Sequence, residues 1–123
     1  MLSFSPATRI FLVAGATDMR KGFNGLYAIV RGELGREVVE TGEIFVFCNR
    51  SRNRLKVLFW DRGGLWVCAK RLEKGTFRWP EPGERYIELS PEELTLLLGG
   101  IDISRARYRR WYRPKNLKKM QKT

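Results

Sequence analysis

Four basic side chains occupy every second position at the start of the segment NRSRNRLKVLFWDRGG, residues 49–64. They are Arg50, Arg52, Arg54 and Lys56. Alternate residues of a β-strand point to one face, so this spacing would align the cations about 7 Å apart. Such a row suits contact with phosphate groups, but a charged row also protects a solvated sheet edge from unwanted pairing. The spacing alone leaves both interpretations open.

Tryptophans interleave with these cations in a predicted β-hairpin. If the apolar residues of its first strand face the core, then Arg54, Lys56 and Trp60 face away from it. Beyond the DRGG turn, Trp66 and Lys70 are predicted to share that outer face. Cations beside aromatic rings favour contact with phosphates together with stacking on bases or sugars. The hairpin is therefore a candidate nucleic-acid-binding surface.

A second basic block forms the end of the chain. Residues 104–123 carry nine basic side chains and no acidic one, a composition that attracts any polyanion. Aromatic rings lie among its arginines, which favours a segment ordered by nucleic acid over a tail that only confers solubility. The sequence predicts phosphate contacts and one possible stacking ring here: Arg105, Arg107, Arg109, Arg110, Arg113 and Trp111.

The distribution of charge supports a polyanionic partner. The formal net charge is +11, but residues 1–48 are neutral and residues 79–103 carry −5. The excess lies in residues 49–78, at +7, and residues 104–123, at +9. Clustering of this kind is typical of nucleic-acid-binding proteins, whereas an ordinary solvated surface mixes its signs. The sequence therefore predicts DNA as a partner, bound mainly through its phosphates.

Catalysis and metal binding have weaker support. DNA strand transfer needs about three carboxylates that converge on divalent metal ions. Two candidates, Asp18 and Asp61, have structural explanations at a helix start and in a turn, and Glu73 lacks the lysine spacing of an Asp…Glu-x-Lys nuclease. Two cysteines, Cys48 and Cys68, without any histidine exclude a zinc finger. We predict no enzyme activity, no catalytic residue, no metal site and no cofactor.

Hydrophobic periodicity predicts the elements that position these residues. An apolar stripe predicts a long helix over residues 18–34, begun by Thr17 or Asp18, and SPEE predicts a short helix over residues 91–98. Strands are predicted over residues 10–13, 44–48, 54–60, 65–70 and 86–89. The expected fold class is α+β: a mostly antiparallel sheet of about four or five strands, one long helix packed on it, a short second helix and a basic C-terminal tail.

This organisation predicts a single α+β domain over residues 1–103, followed by the basic, aromatic-rich tail of residues 104–123. The apolar run at residues 10–14 is too short for a signal peptide of the usual kind, and no stretch reaches transmembrane length. We therefore expect a cytoplasmic protein that makes no membrane contact. The oligomeric state and the strand order of the sheet stay open.

Three segments resemble one protein family. TDMRKGFNGL (residues 17–26), GEIFVFCNRSRNRLKVLFWDRGGLWVCAKRLEKGTFRWP (residues 42–80) and LLLGGID (residues 96–102) are similar to the small accessory protein of bacterial IS 66 family insertion sequences. This protein is also called the TnpB-type or second-open-reading-frame protein. The resemblance covers about residues 5–105. It implies a role in transposition beside a separate transposase that carries the catalytic carboxylates.

Taken with the charge distribution, the resemblance implies a non-enzymatic accessory protein of DNA transposition and recombination that binds DNA, the transposase of its element, or both. One alternative is a protein–protein adaptor without specific DNA recognition, in which the acidic strip of residues 81–93 meets a basic partner. Another is an RNA-binding protein, which would prefer RNA to duplex DNA. Whether any DNA binding is sequence-specific stays open.

Overall fold

The computed structural model describes residues 7–79 and 83–99 and contains one five-stranded sheet. Its strands are β1 (Ile10–Ala16), β2 (Ile44–Cys48), β3 (Arg54–Asp61), β4 (Gly64–Arg71) and β5 (Tyr86–Leu89). They lie in the order β4-β3-β2-β1-β5, with β1 and β2 parallel and the other neighbours antiparallel. The predictions of an α+β fold and of a mostly antiparallel sheet are confirmed.

Both faces of the sheet are covered, and this explains the sequence of the central strand. All five residues of β2, IFVFC, are buried, as expected of a strand that packs on two sides. Phe45 and Phe47 lie on the face covered by helix α1 (Phe23–Ala28), which we call the α1 face. Val46 lies on the face covered by helix α2 (Pro91–Leu98), which we call the α2 face.

The first helix is shorter than predicted. Helix α1 spans Phe23–Ala28 and continues as a π-helical turn over Ile29–Glu33, so the prediction of one long helix over residues 18–34 is wrong. The Asp18 carboxylate accepts a 2.9 Å hydrogen bond from the backbone N–H of Arg20. Such a local bond offers the backbone an alternative to the helix. Residues 17–22 consequently form a loop.

The second helix follows the prediction closely. The Ser90 hydroxyl accepts a hydrogen bond from the Glu93 backbone N–H at 3.1 Å, and the Glu93 carboxylate accepts one from the Ser90 N–H at 2.8 Å. This reciprocal capping box satisfies two backbone donors that a helix start otherwise leaves unpaired. Leu94 and Leu97 then bury themselves against the α2 face.

The C-terminal predictions fall outside the described residues. The division between a domain of residues 1–103 and a tail of residues 104–123 stays a prediction for that reason. The same holds for the predicted contacts at Arg105, Arg107, Arg109, Arg110, Arg113 and Trp111.

Candidate nucleic-acid interface

Two basic loops meet at the carboxyl ends of strands β1 and β2. Because β1 and β2 are parallel, the loop after β1 (residues 17–22) and the loop after β2 (residues 49–53) leave the sheet on the same side. The Thr17 N–H donates to the Cys48 carbonyl oxygen at 2.8 Å and joins the two strand ends. A cleft of about 630 Å³ lies between the loops. Its lining comprises residues 16–20, residues 49–51 and Arg54.

Asparagine side chains fix the shape of the loop after β2. The Asn49 carboxamide oxygen accepts hydrogen bonds from the backbone N–H groups of Asn53, at 3.0 Å, and Arg54, at 3.1 Å. The Asn49 amide nitrogen also donates to the Asn53 side-chain oxygen at 2.8 Å. These bonds hold a turn that leaves Arg50 and Ser51 exposed beside the cleft.

Arg52 turns away from the cleft. Its backbone is in the left-handed region, at φ 61°, and its guanidinium lies 5.9 Å from the ring centroid of Trp79. Its carbonyl oxygen accepts a 2.7 Å hydrogen bond from the Phe77 N–H. The side chain is therefore half-buried against the segment that covers the α2 face. Arg50 and Arg52 point in different directions, so the four alternate cations do not form one row.

The register of the β3–β4 hairpin separates residues that the sequence predicted to share a face. The tight turn fixes a register in which Trp66 lies opposite Phe59, and Lys70 lies opposite Leu55. Directly opposed residues of antiparallel strands point to the same face, so Trp66 and Lys70 lie on the α2 face. The prediction that they share an outer face with the cations of β3 is therefore wrong.

The tryptophans also lie far from the cations along the hairpin. Trp60 is on the same face as Arg54 but six residues further along β3, a separation of about 20 Å. Trp66 lies near the same tip and keeps 52% of its surface exposed. The Lys70 Nζ donates to the Leu98 carbonyl oxygen at 3.0 Å. This carbonyl lies at the C-terminal end of helix α2, where the partial negative charge of the helix dipole attracts a cation.

A different group of cations does converge on the α1 face and its adjoining loops. We call it the basic surface; its members are Arg20, Lys21, Arg50, Arg54, Lys56 and Arg71. The Lys56 Nζ donates to the Lys21 carbonyl oxygen at 2.8 Å and fastens the loop after β1 to β3. Arg54 lies directly opposite Arg71 at the open end of the hairpin. Like charges so placed repel, and a bound anion relieves that repulsion.

Two carboxylates adjoin the basic surface. Asp18 forms an ion pair with Arg20 at 2.8 Å, and Glu73 forms one with Arg71 at 3.0 Å. Hydrogen bonds from the Arg20 guanidinium and backbone lower the pKa of Asp18 to about 2, so this group is ionised at neutral pH. The Arg20 side chain nevertheless remains 92% exposed and accessible to a second anion.

Three other cations on this side of the sheet are paired with acids. The ion pairs join Arg9 to Glu88 at 2.9 Å, Arg31 to Glu37 at 3.0 Å and Arg36 to Glu43 at 3.0 Å. The pKa of Glu88 is lowered by its bond to Arg9, and that of Glu37 by hydrogen bonds from backbone N–H groups and Tyr27. The basic surface, with six cations beside two acids, contrasts with this balanced region.

Sequence reasoning missed Arg20, Lys21 and Arg71 as members of the interface. The predicted helix over residues 18–34 placed the first two in a helical turn, remote from the hairpin. The signal that could have found them is the segment DMRKG: an aspartate that can bond the backbone two residues on, followed by a glycine that interrupts a helix. A loop after β1 lies beside the loop that follows β2, because the two strands are parallel.

Comparison with known proteins gives the family. A family model described as IS66 Orf2 like protein matches residues 8–108. The chain belongs to the IS66 Orf2-like family. This confirms the resemblance seen in the sequence and supports a role as an accessory protein of transposition.

Two curated relatives come from Sinorhizobium fredii (strain NBRC 101917 / NGR234), and both are named as uncharacterized proteins. The protein y4jC is 35% identical over 114 residues, which cover 93% of this chain and 97% of the relative. The protein y4hO is 39% identical over 102 residues, covering 83% and 88% respectively. No solved structure matches the chain.

Two further observations concern residues 7–79 and 83–99 only. In this part of the chain, no helix combines the length and the apolar character that crossing a membrane requires. The same residues contain no cluster of three or more histidine, cysteine, aspartate or glutamate side chains able to hold a metal ion.

Proposed function

We propose that this protein is a non-enzymatic accessory factor of IS66-type transposition that binds duplex DNA through the basic surface. The observation that carries the proposal is the convergence of cations from three separate segments: the loop after β1, the loop after β2 and the open end of the hairpin. A charged row meant only to protect a sheet edge has no need of cations from two additional loops.

The chemistry of the basic surface suits phosphate groups. Four of its six members are arginines, whose planar guanidinium groups bind phosphate oxygens with two parallel hydrogen bonds. Arg54 and Lys56 point to the same face about 7 Å apart and can contact separate phosphates. Contacts of this type position a protein on DNA but carry no direct sequence information.

The remaining predicted contacts have different parts in this proposal. The C-terminal cations extend the same phosphate contact, with Trp111 as a stacking ring. Arg52 and Lys70 support the α2 face through Trp79 and Leu98, and contribute only long-range attraction. Trp60 and Trp66, at the far end of the hairpin, take no part in the contact made by the basic surface.

Fluorescence anisotropy with two labelled duplexes tests the proposal. One carries the terminal repeat of the element, and the other has the same composition in scrambled order. We expect binding to both, with affinity falling steeply between about 50 and about 200 mM salt. Tighter binding to the terminal repeat at physiological salt would add sequence recognition to the phosphate contact.

Other outcomes of this experiment separate the alternatives. Absence of binding to either duplex at low salt would overturn the proposal. In that case, capture of the transposase that survives nuclease treatment would favour the adaptor. A labelled RNA of matched sequence is titrated in the same assay, and tighter binding to it than to both duplexes would favour the RNA-binding alternative.

A further inference from the structure

Strand β4 lies at one edge of the sheet, and its outer side has no strand partner within residues 7–79 and 83–99. It has eight residues, twice as many as β5 at the other edge. Among the described residues, no backbone group bonds to the outer side of β4. Its ladder with β3 is continuous, without a bulge, and it contains no proline. Edge strands without these protective features are templates for the addition of another strand.

The hydrogen-bond alternation shows which groups point outward. The two-residue turn makes Asp61 and Gly64 a hydrogen-bonded pair, and at the other end the Leu72 N–H donates to the Asn53 carbonyl oxygen at 2.8 Å. Bonded and non-bonded pairs alternate between these two points. The outward N–H and C=O groups therefore belong to Leu65, Val67, Ala69 and Arg71.

We propose that β4 pairs antiparallel with β4 of a second copy of this chain, with a two-fold axis at Cys68. This register matches all four outward-pointing residues, because Leu65 then faces Arg71 and Val67 faces Ala69. A two-fold interface of this kind uses the same strand on both copies and leaves no outward group of the strand unpaired.

The distribution of side chains along β4 favours a second copy in this orientation. The strand is apolar from Leu65 to Ala69 and basic at Lys70 and Arg71. An antiparallel copy places each basic end beside an apolar start, whereas a parallel copy in register would oppose lysine to lysine. Trp66, which is 52% exposed, faces Lys70 of the partner subunit on the α2 face. The aliphatic part of that lysine side chain can pack on the indole ring, and its ammonium group adds a cation–π contribution.

The pairing does not depend on DNA binding. The two-fold axis lies perpendicular to the sheet, so the α1 faces of both copies point to the same side. Each basic surface lies on that side and stays accessible at the end of its own hairpin. Dimer formation and DNA affinity can therefore succeed or fail separately.

Oxidative cross-linking at Cys68 tests the register. The two Cys68 residues form a non-hydrogen-bonded pair with Cα atoms about 4.5 Å apart, within the range of a disulfide. An oxidant such as copper phenanthroline removes two electrons and two protons from the two thiols and leaves one disulfide. We expect a covalent dimer from the Cys48→Ser variant and none from Cys68→Ser. The Cys68→Ser chain is the control because the one thiol it retains, that of Cys48, is fully buried.

Sedimentation equilibrium tests the pairing itself. The wild-type chain is expected at twice its mass of 14.4 kDa. Ala69→Pro removes an outward N–H without disturbing the β3–β4 ladder, and we expect it to sediment as a monomer. Ala69→Thr keeps that N–H and should remain dimeric. A thermal melt of each variant shows whether it is folded.

Two results would overturn the proposal. One is a wild-type chain that sediments as a monomer at every concentration used. The other is a dimer that cross-links no better through Cys68 than through buried Cys48, since that dimer would use another surface. If Ala69→Pro does not fold, sedimentation of the wild-type chain and cross-linking of the two cysteine variants still decide whether β4 pairs in this register.

Discussion

Arg54 and Lys70 form a matched pair for testing the basic surface, because they carry the same charge on opposite faces of one hairpin. Arg54 is exposed on the α1 face, and no carboxylate of the described residues pairs with it. Lys70 is also exposed, but it lies on the α2 face and contacts the end of helix α2. Arg54→Gln and Lys70→Gln each lower the net charge by one unit, so a non-specific effect of charge weakens both equally.

The magnitude follows from counterion release. Each phosphate contact contributes about 0.9 to the slope of log affinity against log salt, so the loss of one contact weakens binding about eightfold at 0.1 M salt. We expect Arg54→Gln to reduce both affinity and slope by these amounts. Lys70→Gln should change the slope much less than Arg54→Gln, because Lys70 makes no phosphate contact and its attraction to DNA on the opposite face is largely screened at 0.1 M salt.

Anisotropy titrations of the two variants against the same duplex provide the comparison. The measurement needs at least four salt concentrations, since an affinity at one salt concentration does not separate the loss of a phosphate contact from the loss of long-range electrostatic attraction. Equal changes in slope for Arg54→Gln and Lys70→Gln would refute the idea that DNA lies on the α1 face. A change for Lys70→Gln alone would place DNA on the α2 face.

Three further predictions concern the fold that positions the basic surface. Ser90→Ala should lower the free energy of unfolding by about 1 kcal/mol in a urea titration, because it removes the capping box; Thr95→Ala in the same helix should stay within about 0.5 kcal/mol of the wild type. The Asp18 carboxyl should titrate in an NMR experiment with a pKa of about 2. The Arg20→Gln variant should return this pKa towards the usual value near 3.9. The stabilisation by this ion pair is fully present above the unfolded-state pKa and is lost as the pH falls through about 2. Phe47→Ala, in the fully buried central strand, should cost about 3–5 kcal/mol by the same urea titration, and a loss below about 1 kcal/mol would contradict the two-sided core.

The elements with strong local signals could be predicted from the sequence. Strand β2 is apolar on both faces because both faces are covered, and the segment SPEE contains every part of a capping box. The start of helix α1 could not be predicted from its apolar stripe. The stripe is real, but a local hydrogen bond from Asp18 competes with the first helical turn and shortens the helix.

The candidate site was harder to predict because it is assembled from distant segments. The two-sided hairpin carries apolar residues on both of its faces, with Leu58 buried on one and Val57 on the other. Such a pattern does not show which set of side chains faces outward. The predicted placement of Trp66 and Lys70 beside Arg54 was wrong because the register set by the turn puts them on the opposite face. The proximity of the loops at residues 17–22 and 49–53 depends on β1 and β2 being parallel, a pairing that no local pattern specifies.

Protection of lysines from acetylation by bound duplex DNA tests the central claim most directly, because it examines the wild-type chain residue by residue. Mass spectrometry of short acetylation reactions, with and without DNA, gives a rate for each lysine. The account predicts that DNA slows the modification of Lys21 and Lys56 severalfold and leaves the rate at Lys70 unchanged. Protection of Lys70 with no protection of Lys21 and Lys56 would contradict it.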